Sequence, residues 1–192
     1  MSSWIRKRCS ILQKILNKKK EWIHLRDKKG MTAIHYAASI GYLHGVEKLL
    51  GTCIYCNMEK DDNGFFPLHL ATAGGHVEVV KKLLEQCPDP REILDNYGRN
   101  IVHIAAKMGK FNVIRYILQD TNHGLVDMIN DKDEKGNTPL HLAASQHHPK
   151  IVHALTWNKN VRFNLVNKMN QTALDVCMSN AQENPPLRQA SI

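Results

Sequence analysis

The stretch GNTPLHLAASQHHPKIVHAL, residues 136–155, decides how this chain folds. Pro139 suits the first turn of a helix, where its missing N–H is no loss. The Thr138 hydroxyl can cap that helix and bond to the His141 ring, tying the turn to the helix start. The small pair Ala143-Ala144 lets this helix approach a neighbour closely. A second helix then carries apolar residues at Val152 and Leu155 on one side. Neither helix can bury its apolar face alone, so neighbouring copies must stack into one continuous core.

Those copies are present. GMTAIHYAASIGYLHGVEKLL begins at Gly30, GFFPLHLATAGGHVEVVKKLL at Gly64 and GRNIVHIAAKMGKFNVIRYIL at Gly98, while a partial copy, NQTALDVC, begins at Asn170. The steps from Gly30 through Gly64, Gly98 and Gly136 to Asn170 are 34, 34, 38 and 34 residues. His35, His69, His103 and His141 keep the same step, with Asp175 in the fifth copy. Each glycine follows a polar run and permits the positive φ of a tight turn. Gly41, Gly75 and Gly109 are placed to end the first helix of their copies. The second helices carry Val46, Leu49 and Leu50; Val80, Leu83 and Leu84; and Ile114, Ile117 and Leu118. Some copies depart from the pattern. Ala33 replaces Pro, Phe66 replaces Thr, Asn100-Ile101 replaces Thr-Pro, and His147 stands where a helix-ending Gly is expected, with Pro149 following. The four extra residues fall in the loop QDTNHGLVDMIND.

T-P-L-H-x-A at this period resembles the ankyrin signature, which implies an all-α solenoid of helix-turn-helix repeats with β-hairpin-like fingers. The divisions follow the turns. Residues 1–26 form a basic N-terminal segment with a partial repeat or cap helix. Residues 27–60, 61–94, 95–132 and 133–166 form four repeats, the third with a longer outer loop. Residues 167–180 form a partial fifth, and 181–192 a disordered tail or linker. GFFPLHLA, CPDPREILD, HHPKIVHALTW and FNLVNKMNQTALDV look like the plant ankyrin–transmembrane proteins, the PGG-domain, accelerated-cell-death-type family. That resemblance implies a role in defence or stress signalling at a membrane. The membrane-spanning part is absent from the sequence, and the chain reads as truncated at both ends, stopping at ENPPLRQASI where two prolines open a linker.

Composition agrees with a soluble globular chain: 43% of its 192 residues are hydrophobic and 23% charged. The formal charge is +8, yet residues 1–30 hold ten basic and two acidic side chains, and the rest holds sixteen of each. Aligned on the turn glycines, Ile11-Leu12 and Ile15-Leu16 match the second helix of a repeat and Leu25 matches Ile93, so residues 11–26 read as a capping helix with lysines facing water. The other reading is a basic amphipathic helix, carrying Trp4, Ile5 and Trp22, that lies on an anionic membrane surface. Neutral repeats argue against specific nucleic-acid recognition. The sparse, odd set of cysteines fits reduced thiols and a cytoplasmic location, including the cytosolic face of a membrane.

The histidines of the repeat sit one layer apart and do not converge on a metal. His147, His148 and His153 read as surface imidazoles, and Cys53-x-x-Cys56 as plain thiols. With no nucleophile, phosphate loop or cofactor motif, the expectation is a non-catalytic protein-interaction scaffold with no cofactor, no metal and no small-molecule substrate. Its partner is another protein. The candidate contact strip combines finger tips and inner-helix positions: Lys29, Met31, Asn63, Phe65, Tyr97, Arg99, Lys107, Met108, Lys135 and Asn137. Aromatic and Arg residues dominate interface energetics.

Overall fold

The structure, a computed structural model, describes residues 20–120 and 123–183. The expected helix over residues 11–19 and the tail beyond Glu183 lie outside it. Nine α-helices follow among the described residues: α1 (Ala33–Ser39), α2 (Leu43–Thr52), α3 (Pro67–Gly74), α4 (Val77–Leu84), α5 (Ile101–Lys107), α6 (Phe111–Gln119), α7 (Pro139–Ser145), α8 (Pro149–Thr156) and α9 (Ala173–Glu183). The odd-numbered helices stack on one another as an inner row, the even-numbered ones as an outer row, and each inner helix packs on the outer helix that follows it. α9 runs into the stretch read as a tail.

The apolar spacing explains the layering. Val46, Leu49, Leu50, Val80, Leu83, Leu84, Ile114, Ile117 and Leu155 are buried, and the alanine pairs lie against the neighbouring inner helix in one continuous core. Pro67, Pro139 and Pro149 each open a helix, and Asn100 caps α5 by accepting from the N–H groups of Val102 and His103.

The finger before each inner helix is built by one acceptor that the sequence reading passed over. Oδ1 of Asp61 accepts from the backbone N–H of Asn63 (2.9 Å) and Phe65 (2.8 Å). Asp27, Asp95, Asp133 and Asn167 repeat this with the residues two and four positions on. An Asp or Asn three residues before the turn glycine, at the same steps of 34, 34, 38 and 34 residues, was the available signal, because such side chains bond to their own backbone in turns. Consecutive fingers also join: the N–H groups of Asp62, Glu134 and Lys168 donate to the carbonyls of Lys29, Tyr97 and Lys135 at 2.9–3.0 Å. Gly136 has φ +76°, and a Cβ there would stand 2.8 Å from the Lys168 backbone nitrogen.

The repeat histidines tie each finger to the next. Nδ1 of His35, His69 and His141 accepts from the backbone N–H of Thr32, Phe66 and Thr138 at 3.1–3.3 Å. That leaves the proton on Nε2, which lies 3.1 Å from the Phe65 carbonyl for His35 and 3.0 Å from the Gln171 carbonyl for His141. His103 reaches the Asn137 carbonyl, and His69 uses the other arm of its finger stem, the carbonyl of Ile93. Burial pushes all four imidazoles below their ordinary pKa, His69 to about 4. In the fifth copy Asp175 accepts from both the N–H and the hydroxyl of Thr172.

Several expectations need correction. Leu25, aligned with Ile93, is 62% exposed, and Ile23 in a 3-10 turn (Lys20–His24) is the buried residue there. The long outer loop contains a 3-10 turn, Leu125–Asn130, that buries Leu125, Met128 and Ile129. His148 is not a plain surface imidazole: its Nε2 lies 3.1 Å from the Lys107 carbonyl. His76 does the same to Ser39, so a donor at the start of an outer helix staples it to the inner helix of the preceding repeat. His147 keeps the left-handed turn of the missing glycine at φ +54°.

Two predictions follow from this geometry. Gly136→Ala loses about 1–2 kcal/mol from its backbone conformation alone, more with the clash, whereas His147→Gly gains up to ~1 kcal/mol by relieving the same strain. Urea unfolding measures both. The second concerns acid. Imidazoles kept neutral in the fold protonate more readily in the unfolded chain, so their stabilisation is present above pH ~6.5 and is lost as pH falls toward the folded values. His69, with its value depressed to about 4, accounts for roughly 3 kcal/mol at full effect. Stability should fall between pH 6.5 and 4.5, less steeply in His69→Gln. A flat profile would contradict the neutral brace.

Candidate functional site

The strip expected to be concave runs where the fingers meet the inner helices. Tyr97 and Arg99 stand on the finger before α5, and Lys135 and Asn137 on the finger before α7. Arg99 is not the exposed residue the sequence suggested: it is 7% exposed. Its Nε and Nη2 donate to Asp95 Oδ2 at 2.8 and 2.6 Å, and its guanidinium lies 4.5 Å from the centre of the Tyr97 ring. Burial works against the Asp95 carboxylate, but hydrogen bonds from the Arg99 side chain and from the N–H groups of Arg99 and Tyr97 hold its pKa below the ordinary value. The charge pair thus fixes the finger whose outer surface is Tyr97, itself 54% exposed.

Two hollows adjoin across Arg99 and Lys107. The larger, about 390 Å³, lies between Tyr97, Lys107, Lys135, Asn137 and Gln146, with Leu142 on its floor and Asp133 and Glu134 at its edge. The smaller, about 160 Å³, is lined by Phe65, Leu70, Ala73, Ile104 and Met108 around the His69 ring. Seven residues of the predicted strip therefore meet here: Phe65, Tyr97, Arg99, Lys107, Met108, Lys135 and Asn137. Lys29, Met31 and Asn63 line neither hollow. The position just after each repeat histidine was missed. Leu70, Ile104 and Leu142 are apolar there and face the hollows rather than the core between inner and outer rows. Its recurrence beside an invariant slot was the readable sign.

Lys107 is half-buried, and burial, then the Arg99 charge, push its ammonium below its ordinary pKa. The Asp95 and Asp133 charges work against that fall, although neither Lys107 nor Lys135 is in an ion pair among the described residues.

Elsewhere the chemistry is quiet. The Cys56 thiol is pushed by burial to about 12 and Cys87 to about 11, so both are poor nucleophiles at neutral pH. Among the described residues, no group of His, Cys, Asp and Glu is arranged to hold a metal ion, and no helix is long and apolar enough to cross a membrane. An apolar hollow of about 590 Å³ lies between α7, α8 and α9, lined by Ala144, Val152, Thr156 and Cys177.

Known proteins resemble parts of this chain in sequence. Over 59 residues the chain is 39% identical to ankyrin repeat-containing protein BDA1 of Arabidopsis thaliana, a stretch covering 31% of this chain and 14% of that protein. Over 49 residues it is 43% identical to oxysterol-binding protein homolog 2 of Saccharomyces cerevisiae, covering 26% of this chain and 4% of the relative. The chain thus spans a small part of the length of either. A family described as ankyrin repeats, in three copies, matches residues 3–91, 52–127 and 86–167. With the stacked fingers, braced helices and single continuous core, that match settles the family: the chain belongs to the ankyrin-repeat proteins, an all-helical solenoid fold whose use is protein–protein interaction.

Proposed function

We propose that this chain is a non-catalytic scaffold that grips a protein partner on its concave strip. One observation carries the reading: seven of the ten strip residues converge on two adjoining hollows, with Tyr97 and Met108 about half exposed at their rims. Fully used imidazoles support a non-catalytic role, since both ring nitrogens of each repeat histidine already serve the fold. The resemblance to the plant ankyrin–transmembrane proteins, together with the stretch shared with the Arabidopsis chain, extends the proposal to defence or stress signalling in the cytoplasm, at the cytosolic face of a membrane.

The concentration of ten basic side chains in residues 1–30 supports a second contact, in which residues 1–26 meet an anionic membrane surface. Co-sedimentation with vesicles containing phosphatidylserine should then be strong at low salt and fade as ionic strength rises. Equal binding to neutral vesicles would discard it.

The strip is tested by affinity capture with mass spectrometry, wild type against variants. Phe65→Ala and Tyr97→Ala should each weaken a captured partner by more than ~1 kcal/mol while leaving the unfolding midpoint close to wild type. Unchanged binding in both variants sinks the assignment.

A further inference from the structure

Resting on the concave-strip reading, we propose that the paired hollows take a short acidic–apolar segment of the partner chain. An Asp or Glu carboxylate sits between Lys107 and Lys135, and a neighbouring aliphatic or aromatic side chain fills the hollow of Phe65, Ile104 and Met108. Three observations converge on this occupant.

The cations of the larger hollow are not equivalent. Arg99 is committed to Asp95, with both side chains almost fully buried. Asp133 is likewise committed, its Oδ1 held by the N–H groups of Lys135 and Asn137. Lys107 and Lys135 remain, on an inner helix and on the next finger, neither in an ion pair among the described residues, with the Glu134 carboxylate as the remaining acid of the lining. Asp95 and Asp133 offset part of the Lys107 charge, yet an ammonium outside any ion pair still gains from a carboxylate delivered into its own hollow, where water screens the pair less than at the surface.

The second observation is the smaller hollow. It shares Arg99 and Lys107 as a wall with the larger one, and its remaining lining is mostly apolar, from Phe65, Leu70, Ala73, Ile104 and Met108. A ligand satisfying the lysines therefore places its next residues against apolar surface. A bare phosphate or a sugar-phosphate backbone has nothing to put there.

Charge beyond the hollows points the same way. Residues 31–192 carry equal numbers of basic and acidic side chains, so the repeats present no extended cationic track for a nucleic acid. The complement is local, one or two carboxylates with an apolar neighbour, which is the chemistry of a peptide.

The test pans a random peptide display library on the full 192-residue chain and measures selected peptides by fluorescence anisotropy. Acidic–apolar peptides should be enriched. Their affinity should fall roughly tenfold or more in Lys135→Glu and in Lys107→Glu, and weaken as salt rises above about 0.15 M. Met108→Ala should weaken the same peptides through the apolar residue. Replacing the peptide's Glu by Lys should restore binding to Lys135→Glu, a reversal that no folding defect produces. Lys135 is exposed on a finger tip, so its variant carries the test if Lys107→Glu is unstable. Peptides lost in Tyr97→Ala but indifferent to both lysine reversals would overturn the acidic specificity and leave the concave strip standing. Peptides indifferent to Tyr97→Ala and Phe65→Ala as well would overturn both. Recovery of no peptide at all would overturn recognition by a short linear segment.

Discussion

The structure depends on one hydrogen-bonded unit: a buried, neutral imidazole that accepts from the start of its own helix and donates to the stem of the next finger. Each arm does a different job. The Nδ1 arm is local and fixes where the inner helix begins. The Nε2 arm crosses to a residue 24 to 34 positions away and so sets the register between repeats. Only a side chain with an acceptor and a donor on opposite edges of a rigid ring can do both at once. Burial keeps the ring neutral, which preserves that division of roles. Charging it would put a proton where the backbone N–H already points.

Locking the fingers this way shapes the concave face. The Asp acceptor closes each finger from within, the histidine below ties it to its neighbour, and backbone bonds such as Glu134 to Tyr97 join consecutive tips. Side chains on the tips therefore start from a fixed base, and less ordering remains to be done on binding. Arg99 shows the principle most fully. Tied to Asp95 and stacked on Tyr97, it is a wall of the site rather than a free probe. The lysines on either side are in no ion pair among the described residues, and only part of the Lys107 charge is offset, by Asp95 and Asp133.

Much of this was legible in the sequence. The turn glycines, the histidines, the alanine pairs and the outer-helix stripes are read directly because each position has one steric or hydrogen-bonding solution. Where sequence and structure part, register gives a residue's place in the repeat but not its exposure. Register puts Arg99 on an exposed finger tip, but a carboxylate four residues earlier draws it in. Leu25 was placed in the core by register, yet a 3-10 turn rotates Ile23 there instead. His148 looked like a surface imidazole because its partner, a carbonyl 41 residues away, carries no sequence signature at all. Long-range contacts to backbone are invisible in side-chain patterns, whereas the Asp at the finger root was visible and was read merely as polarity before a turn.

The fifth copy separates the two arms of the brace. Asp175 receives the N–H and the hydroxyl of Thr172, so it caps α9 as the histidines cap the other inner helices. A carboxylate has no proton to hand onward, and no further finger follows among the described residues. The last copy thus keeps the bond that makes a helix and drops the bond that makes a stack. Around it, Met169, Leu174 and Met178 are well exposed, and Asn170 holds the left-handed turn that glycine holds elsewhere. In a linear array each unit is stabilised by its interfaces, and among the described residues α9 packs on one inner helix, α7. The fifth copy nonetheless buttresses the site: the Lys168 N–H donates to the Lys135 carbonyl and the Asn167 side-chain amide to Asn137 Oδ1, so local opening of this unit would release the fourth finger of the strip.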